Sequence, residues 1–174
     1  MSAGQWQATD GTLVTFRPIR PDDLARERAF LEGLSVDSLY QRLMTTRNLL
    51  PGELERLTNV DRDHETAIVA TIVTNSIEQQ IGVARYVRDK DSTAAEFAIV
   101  IADAWQGRGL GRRLLQTLID CAERADITAL GGLTFAGNRG MLALAHALGF
   151  KISMIAGDGT VRQLTRPLGG QTTT

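Results

Sequence analysis

Residues 105–113 read Trp-Gln-Gly-Arg-Gly-Leu-Gly-Arg-Arg, and this stretch decides the fold. It follows Ala94–Ile101, an apolar run with β-branched residues that predicts a strand. Beyond it, leucines and Cys121 recur from Leu110 onward at helical spacing, which predicts a long helix. Three glycines on alternate positions therefore lie at a strand-to-helix turn. Because glycine has no Cβ atom, the backbone N–H groups of this turn are free to face a ligand.

The turn has the properties of an anion-binding site. The first N–H groups of a helix have no acceptor within it, and the helix dipole adds positive charge, so pyrophosphate is the natural guest. Arg108, Arg112 and Arg113 lie at this positive end, where each cation costs about 0.3–1 kcal/mol unless an anion is bound. The alternative to an anion site is a turn that binds no ligand, in which the glycines serve only the backbone conformation and the arginines are solvated. The glycine spacing excludes a P-loop and a dinucleotide-binding fingerprint.

The remaining elements follow from hydrophobic spacing and turn residues. Toward the amino terminus we expect strands at 13–19, 67–74 and 81–87, with a hairpin loop at 75–80. Helices are expected after Pro21, after Ser35 and from Pro51. Toward the carboxyl terminus we expect a strand, a helix and two further strands around a turn, at 127–135, 138–148, 152–155, 161–165 and 157–159. The pattern predicts a mixed α/β fold over residues 1–174, one domain, with about residues 1–10 and 168–174 flexible.

Composition removes several classes of function. The 174 residues carry a net charge of -1, which argues against a broad nucleic-acid surface. No apolar run reaches the roughly 18–20 residues of a membrane span and no signal pattern is present, so we expect a cytoplasmic protein that does not bind membranes. Cys121 is the single cysteine, and His64 and His146 lie far apart, so no metal site is expected.

Several motifs together resemble one family. The segment Gln106 to Gly111 resembles the Gln/Arg-x-x-Gly-x-Gly/Ala signature of the GNAT superfamily of N-acetyltransferases. Asn138 with Leu148-Gly149-Phe150 resembles the family's second coenzyme-contacting segment, and residues 17–23 resemble its common opening. The resemblance spans about residues 12–166 and implies a central, mostly antiparallel sheet with helices on both faces. Residues 34–43, 61–70 and 95–98 are most similar to bacterial Pat-type protein-lysine acetyltransferases.

The resemblance implies acetyl-CoA as co-substrate. Backbone groups of Ile99, Val100 and Ile101 would hold the pantetheine arm and the thioester oxygen. Asn138 would reach the pantetheine amides or cap a helix, or do both. The pyrophosphate would lie on the turn, whose cofactor-binding residues are Gln106, Gly107, Arg108, Gly109, Leu110, Gly111 and Arg112.

Glu96 is the candidate catalytic base. Strand alternation places it on one face with Ala94, Ala98 and Val100, so we expect its carboxylate to be partly desolvated. A lysine-like amine has a pKa of about 10.4 and must lose a proton before it attacks. A solvated strand-end carboxylate, or one paired with Arg85, is the alternative. Pat-type enzymes use the glutamate at this position, and the resemblance therefore favours the base.

The acceptor is left open by the sequence. A protein lysine is the first hypothesis and a small-molecule amine the second, with a non-catalytic coenzyme A sensor as a third of another class. A homodimer is compatible with the resemblance. Many family members carry a tyrosine, as an acid for the leaving thiolate, where this chain has Ala145. Another group or the substrate's own ammonium must then supply that proton.

Overall fold

The computed structural model describes residues 4–43 and 51–169. Within them, all strands join one sheet in the order β1-β2-β3-β4-β5-β6-β8-β7, and only β5 and β6 pair in parallel. The strands are β1 Gly4–Gln7, β2 Leu13–Pro18, β3 Glu65–Thr74, β4 Ile77–Arg88, β5 Ala94–Ile101, β6 Ala129–Phe135, β7 Lys151–Ile155 and β8 Asp158–Pro167. The helices are α1 Leu24–Glu32, α2 Val36–Leu43, α3 Pro51–Thr58, α4 Leu110–Arg124 and α5 Arg139–Ala147. This architecture confirms the predicted mixed α/β fold with a mostly antiparallel sheet.

The sheet separates two hydrophobic cores. Helices α4 and α5 cover one face, where Leu114, Leu115, Leu118 and Ile119 are completely buried. Full burial of such a side chain contributes about 1.5–3 kcal/mol, so α4 is a principal stabilising element. Helices α1 and α3 cover the other face around a smaller core that includes Val100. Apolar side chains of β5 therefore pack into both cores.

A buried ion pair joins the end of β2 to the start of α1. Both terminal nitrogens of Arg17 donate to the Asp23 carboxylate at 2.7 Å, and the Arg20 backbone N–H donates to it at 2.8 Å. Arg26 adds a contact at 2.8 Å. Asp23 is 1% exposed. The opening motif at residues 17–23 is thus structural, because its buried ion pair fixes where the first helices begin.

Two segments that were predicted to be flexible are paired or packed in the structure. Strand β1 pairs with β2 because Gly11, with φ of 86°, closes a turn in which the Ala8 N–H donates to the Thr12 carbonyl oxygen at 2.9 Å. Trp6 of this strand packs against the larger core. Leu168 is buried as well, and its N–H donates to the Thr128 carbonyl oxygen at 2.8 Å. Residues 1–3 and 170–174 lie outside the described residues.

Two hairpin turns are tighter than predicted. The β3–β4 turn consists of Asn75 and Ser76 alone, both with positive φ, of 51° and 63°. Such a turn matches the right-handed twist of its strands, so pairing extends into the expected 75–80 loop. The β7–β8 turn lies one residue earlier than predicted, at Ala156 and Gly157, where Gly157 has φ of 80°.

The sheet opens between β5 and β6. These strands pair only at residues 94–96 and 129–131, and then diverge. At the point of divergence, a Cβ atom on Gly132 would lie 2.9 Å from a ring carbon of Phe97 and 3.1 Å from its carbonyl oxygen. Glycine therefore permits the last close approach of the two strands. Beyond it, one edge of β5 has no strand partner.

Candidate active site

A cavity of about 830 Å³ fills the opening between β5 and β6 and continues to the glycine-rich turn. Residues from α2, α3, β4 and α5 complete its walls. It brings together ten of the twelve residues predicted from the sequence, all but Arg108 and Leu110. The ten are Glu96, Ile99, Val100, Ile101, Gln106, Gly107, Gly109, Gly111, Arg112 and Asn138.

The backbone of β5 presents only alternate residues to the opening. The Ala102 N–H donates to the Ile81 carbonyl oxygen at 2.9 Å, which shows that backbone groups of even-numbered residues face β4. The Ile101 carbonyl oxygen instead accepts from the Gln106 side chain on the open side. The N–H groups of Ile99 and Ile101 therefore face the cavity. Val100 directs its backbone to β4, so the predicted backbone role of Val100 is wrong.

Glu96 projects on the face covered by α1 to α3. Cross-strand pairing sets three rows on this face: Glu65, Val87 and Glu96; Ala67, Arg85 and Ala98; Val69, Val83 and Val100. Glu96 lines the cavity, but its side chain is exposed. The expected partial desolvation of the Glu96 carboxylate is therefore wrong.

No ion pair joins Glu96 to an arginine within the part of the chain that the structure describes. Arg85 donates to the Leu57 carbonyl oxygen at 2.9 Å, and Arg56 pairs with Glu65 at 2.6 Å. The alternative in which Arg85 neutralises Glu96 is thus absent from this structure. The carboxylate is free to accept a proton from a group that enters the cavity.

The glycine-rich turn leaves the start of α4 without a cap. Gly107 and Gly109 have φ of 70° and 88°, a conformation that side-chain-bearing residues rarely adopt. Gly109, the N-cap residue, has no side chain to cap the helix, and the Arg113 N–H is the first to reach back, donating to the Gly109 carbonyl oxygen at 3.3 Å. The N–H groups of residues 110–112 therefore have no acceptor within the helix. Leu110 contributes through its backbone alone, because its side chain is fully buried in the core.

The arginines of the turn have different environments. Arg108 pairs with Asp10 and lies over the Trp105 ring, 4.2 Å from its centre, so its side chain is held outside the cavity. The predicted side-chain contact of Arg108 with the ligand is therefore not supported. Arg112 is exposed and lines the cavity. Arg113 is exposed but does not line it.

A polar network that the sequence analysis missed ties α2 to this turn. Asp103 accepts from the Ser35 N–H at 2.9 Å and from the Ser35 and Ser38 hydroxyls at 2.8 and 2.7 Å. The hydrogen bond from the Ser35 N–H is the main reason that the pKa of Asp103 lies below its usual value. Gln106 donates to the Ser38 hydroxyl oxygen at 3.0 Å and to the Ile101 carbonyl oxygen at 3.1 Å. Gln106 thus positions the turn through both amide hydrogens.

Asn138 caps α5, as one of its two predicted roles required. Its side-chain oxygen accepts from the Met141 N–H at 3.0 Å, while the residue also lines the cavity. The amide nitrogen remains available to a bound ligand.

Ala145, at the position that is tyrosine in many GNAT enzymes, is completely buried and contributes no acid. Tyr40 stacks on Phe135 with ring centres 4.9 Å apart and does not line the cavity.

The other candidate groups give no second site. Burial raises the pKa of the Cys121 thiol, which makes it a poor nucleophile. Within residues 4–43 and 51–169, no cluster of three or more His, Cys, Asp or Glu side chains is arranged to hold a metal ion. In that same part of the chain, none of the helices combines the length and apolarity needed to cross a membrane.

Comparison with known proteins agrees with this geometry. Residues 43–150 match the model of the acetyltransferase (GNAT) family. The chain belongs to the GNAT acetyltransferase family. It is 34% identical to acetyltransferase PA5475 of Pseudomonas aeruginosa over 81% of this chain and 76% of that protein. It is 30% identical to acetyltransferase Pat of Mycolicibacterium smegmatis over 82% of this chain, but spans only 43% of that longer protein.

Solved structures show the same GNAT fold. The GNAT domain of S. lividans PAT superposes with a TM-score of 0.85 at 24% identity, covering 95% of this chain and 97% of that one. A GNAT superfamily phosphinothricin acetyltransferase from Sinorhizobium meliloti, solved in complex with AcCoA, gives 0.72 at 20% identity over 92% and 91%. With the family assignment, these similarities identify the chain as an acyltransferase of the GNAT type.

Proposed function

We propose that this GNAT protein transfers the acetyl group of acetyl-CoA to a primary amine by direct attack in a ternary complex. One observation carries the proposal: Glu96, the unpaired N–H of Ile99 and the uncapped start of α4 all border a single cavity. A base, a donor to a thioester oxygen and a pyrophosphate cradle are the parts that such a reaction needs.

The donor would lie along the open edge of β5. Its pyrophosphate would accept hydrogen bonds from the N–H groups of residues 110–112, with Arg112 beside it. The amide nitrogen of Asn138 would donate to the pantetheine arm. The acetyl carbonyl oxygen would accept from the N–H of Ile99 or Ile101, which stabilises the negative charge that develops on that oxygen. The S. meliloti complex with AcCoA supports this choice of donor.

The acceptor would approach from the face that carries Glu96. Glu96 takes one proton from the ammonium, directly or through water, and the free amine attacks the thioester carbon. The tetrahedral intermediate then collapses with cleavage of the C–S bond. Because Ala145 has no ionisable group, we assign the proton that the leaving thiolate needs to the nitrogen of the intermediate, which must lose it to become an amide.

We propose a protein lysine in the cytoplasm as the acceptor. The segments that resemble Pat-type enzymes and the similarity to the GNAT domain of S. lividans PAT support this choice. A small-molecule amine is the second candidate. It is favoured by Arg85, a buried cation on the acceptor side of the cavity that a protein surface would reach with difficulty.

Turnover of acetyl-CoA, followed as free thiol, tests this function against purified proteins and small amines. We expect thiol release to depend on acceptor, with the acetylated amine identified by mass spectrometry. Turnover with proteins but not with free amines would support the lysine proposal, and the reverse would support the small acceptor. Tight binding of acetyl-CoA without turnover on any acceptor would instead indicate a sensor and contradict catalysis.

Arg112 and Arg108 of the glycine-rich turn offer a matched test of the donor site, since only Arg112 lines the cavity. Arg112→Met should weaken acetyl-CoA binding by about threefold to tenfold, because it removes a charge beside the pyrophosphate. Arg108→Met should leave the affinity unchanged, since Asp10 and Trp105 hold that side chain away from the cavity. Isothermal titration with acetyl-CoA measures both. Equal losses would place the pyrophosphate elsewhere on the turn.

A further inference from the structure

Arg85 lies at the centre of the acceptor face. In the rows set by strand pairing it stands between Ala67 and Ala98, with Glu65 and Glu96 on its two diagonals. Its residue surface is 7% exposed, and it lines the cavity beside Glu96. The flanking alanines are short, so they leave space above the guanidinium. A buried cation is thus placed next to the base that the proposed reaction uses.

The guanidinium of Arg85 has hydrogen-bond donors that the described residues leave unsatisfied. An arginine offers five N–H donors, and here one nitrogen donates to the Leu57 carbonyl oxygen at 2.9 Å. The Nε atom is buried without a hydrogen-bond partner. Within the described residues, no ion pair joins Arg85 to a carboxylate, and Oε1 of Glu65, on one diagonal, pairs with Arg56 at 2.6 Å. Unsatisfied buried donors of a charged group are costly, and a guest that supplies acceptors would remove the cost.

A carboxylate is the guest that matches this group. The planar fork of a guanidinium binds the two oxygens of a carboxylate through parallel hydrogen bonds, and burial strengthens the interaction. Burial also lowers the pKa of Arg85, although Glu27 and Glu65 oppose that effect. An anion at this place would stabilise the charged form further. Lysine at this position would supply the charge without the fork.

We propose that Arg85 binds a carboxylate that the acceptor carries close to its reacting amine. This inference rests on the proposed acetyl transfer and names the class of acceptor. Diagonal neighbours on a sheet lie about 7–8 Å apart, so the carboxylate bound by Arg85 would lie about this distance from an amine that reaches Glu96. The carboxylate belongs either to a free amino acid or to an acidic residue that flanks a lysine in a peptide.

Matched acceptors test the proposal. One arm compares L-amino acids with their amides, and a second compares lysine peptides flanked by glutamate with peptides flanked by alanine. We expect wild type to favour the carboxylate member of one arm by tenfold or more in kcat/KM. The arm in which the preference occurs identifies the source of the carboxylate. Equal rates within both arms for acceptors that turn over would overturn the proposal.

Variants connect the preference to Arg85. In Arg85→Met the preference should fall to near unity with acetyl-CoA affinity unchanged, and Arg85→Lys should restore only part of it. Arg88→Met is the control, because Arg88 lies on the same strand, donates to the Asp63 carbonyl oxygen and does not line the cavity. A preference that survives in Arg85→Met would contradict the assignment. Acetyl-CoA affinity reports whether each variant is folded.

A binding experiment separates this inference from the proposed catalysis. Titration of wild type and Arg85→Met with N-acetyl-L-glutamate and with N-acetyl-L-glutamine amide, in the presence of coenzyme A, needs no turnover. Binding of the former alone, lost in Arg85→Met, would support the carboxylate site even if no acceptor were acetylated. If wild type binds neither compound and shows no carboxylate preference in turnover, the site does not exist.

Discussion

Glu96→Gln is expected to lower kcat at neutral pH by about 10²-fold or more, which is the usual contribution of a positioned general base. Glutamine keeps the size of the side chain and its exposed position on β5 but cannot accept the proton of the incoming ammonium. Acetyl-CoA should bind as before, since Glu96 lies on the acceptor face and the turn that would hold the pyrophosphate is unchanged. Thiol release with the best acceptor measures the rate, and titration measures the donor affinity.

The pH dependence of this variant is diagnostic. As pH approaches the amine's own pKa, about 10.4 for a lysine-like group, solvent deprotonates the amine and the base becomes unnecessary. The deficit of Glu96→Gln should therefore shrink as pH rises. Glu123→Gln, an exposed substitution on α4 outside the cavity, serves as the matched control. A variant as fast as wild type at neutral pH would show that Glu96 is not the base.

Asp23→Ala is expected to cost about 3–5 kcal/mol of unfolding free energy, because it leaves the buried guanidinium of Arg17 without its main partner. Folded proteins of this kind are stable by only about 5–15 kcal/mol, so the loss is a large share of the total. Urea unfolding followed by circular dichroism measures it. Asp22→Ala is the control, since Asp22 is exposed and should cost less than about 1 kcal/mol.

The stabilisation that the Arg17–Asp23 ion pair provides should be lost at acidic pH. Burial alone would raise the pKa of Asp23, but hydrogen bonds from Arg17 and from the Arg20 N–H hold it below its usual value. A carboxyl whose folded pKa is depressed stabilises the protein above its unfolded pKa of about 3.9, and the stabilisation disappears as pH falls through the folded value. The gap between wild type and Asp23→Ala should therefore narrow below about pH 4. A gap that is constant down to pH 2 would contradict this account.

Local chemistry explains why much of the site was predictable. The alternate glycines at 107, 109 and 111 identify a strand-to-helix turn, and the structure places them at the cavity. Asn138 was predicted as a cap because its short amide suits a helix start, and it is one. Side-chain alternation along β5 also holds, because it follows from the two-residue repeat of any strand.

The predictions that were wrong concern features set by contacts between segments distant in the sequence. Which backbone groups of β5 face the cavity is set by its hydrogen-bonding phase with β4, and Val100 falls in the wrong phase. Arg108 is withdrawn by Asp10, almost a hundred residues earlier in the chain. Glu96 is exposed although strand alternation places it on a face that helices cover. None of these features can be predicted from the local sequence of β5 or of the glycine-rich turn.

Odd- and even-numbered residues of strand β5 face different parts of the structure, and three roles alternate along this one segment. Even-numbered side chains face α1 and α3, odd-numbered side chains face α4, and odd-numbered backbone groups face the gap toward β6. Replacement of Ile99 by another apolar residue would leave its N–H in place, so the identity of that side chain is only weakly constrained. Deletion of one residue between Glu96 and Ile101 would exchange all three roles at once. Evolution of this enzyme can therefore vary apolar side chains of the strand such as Ile99, but not the number of residues between Glu96 and Ile101.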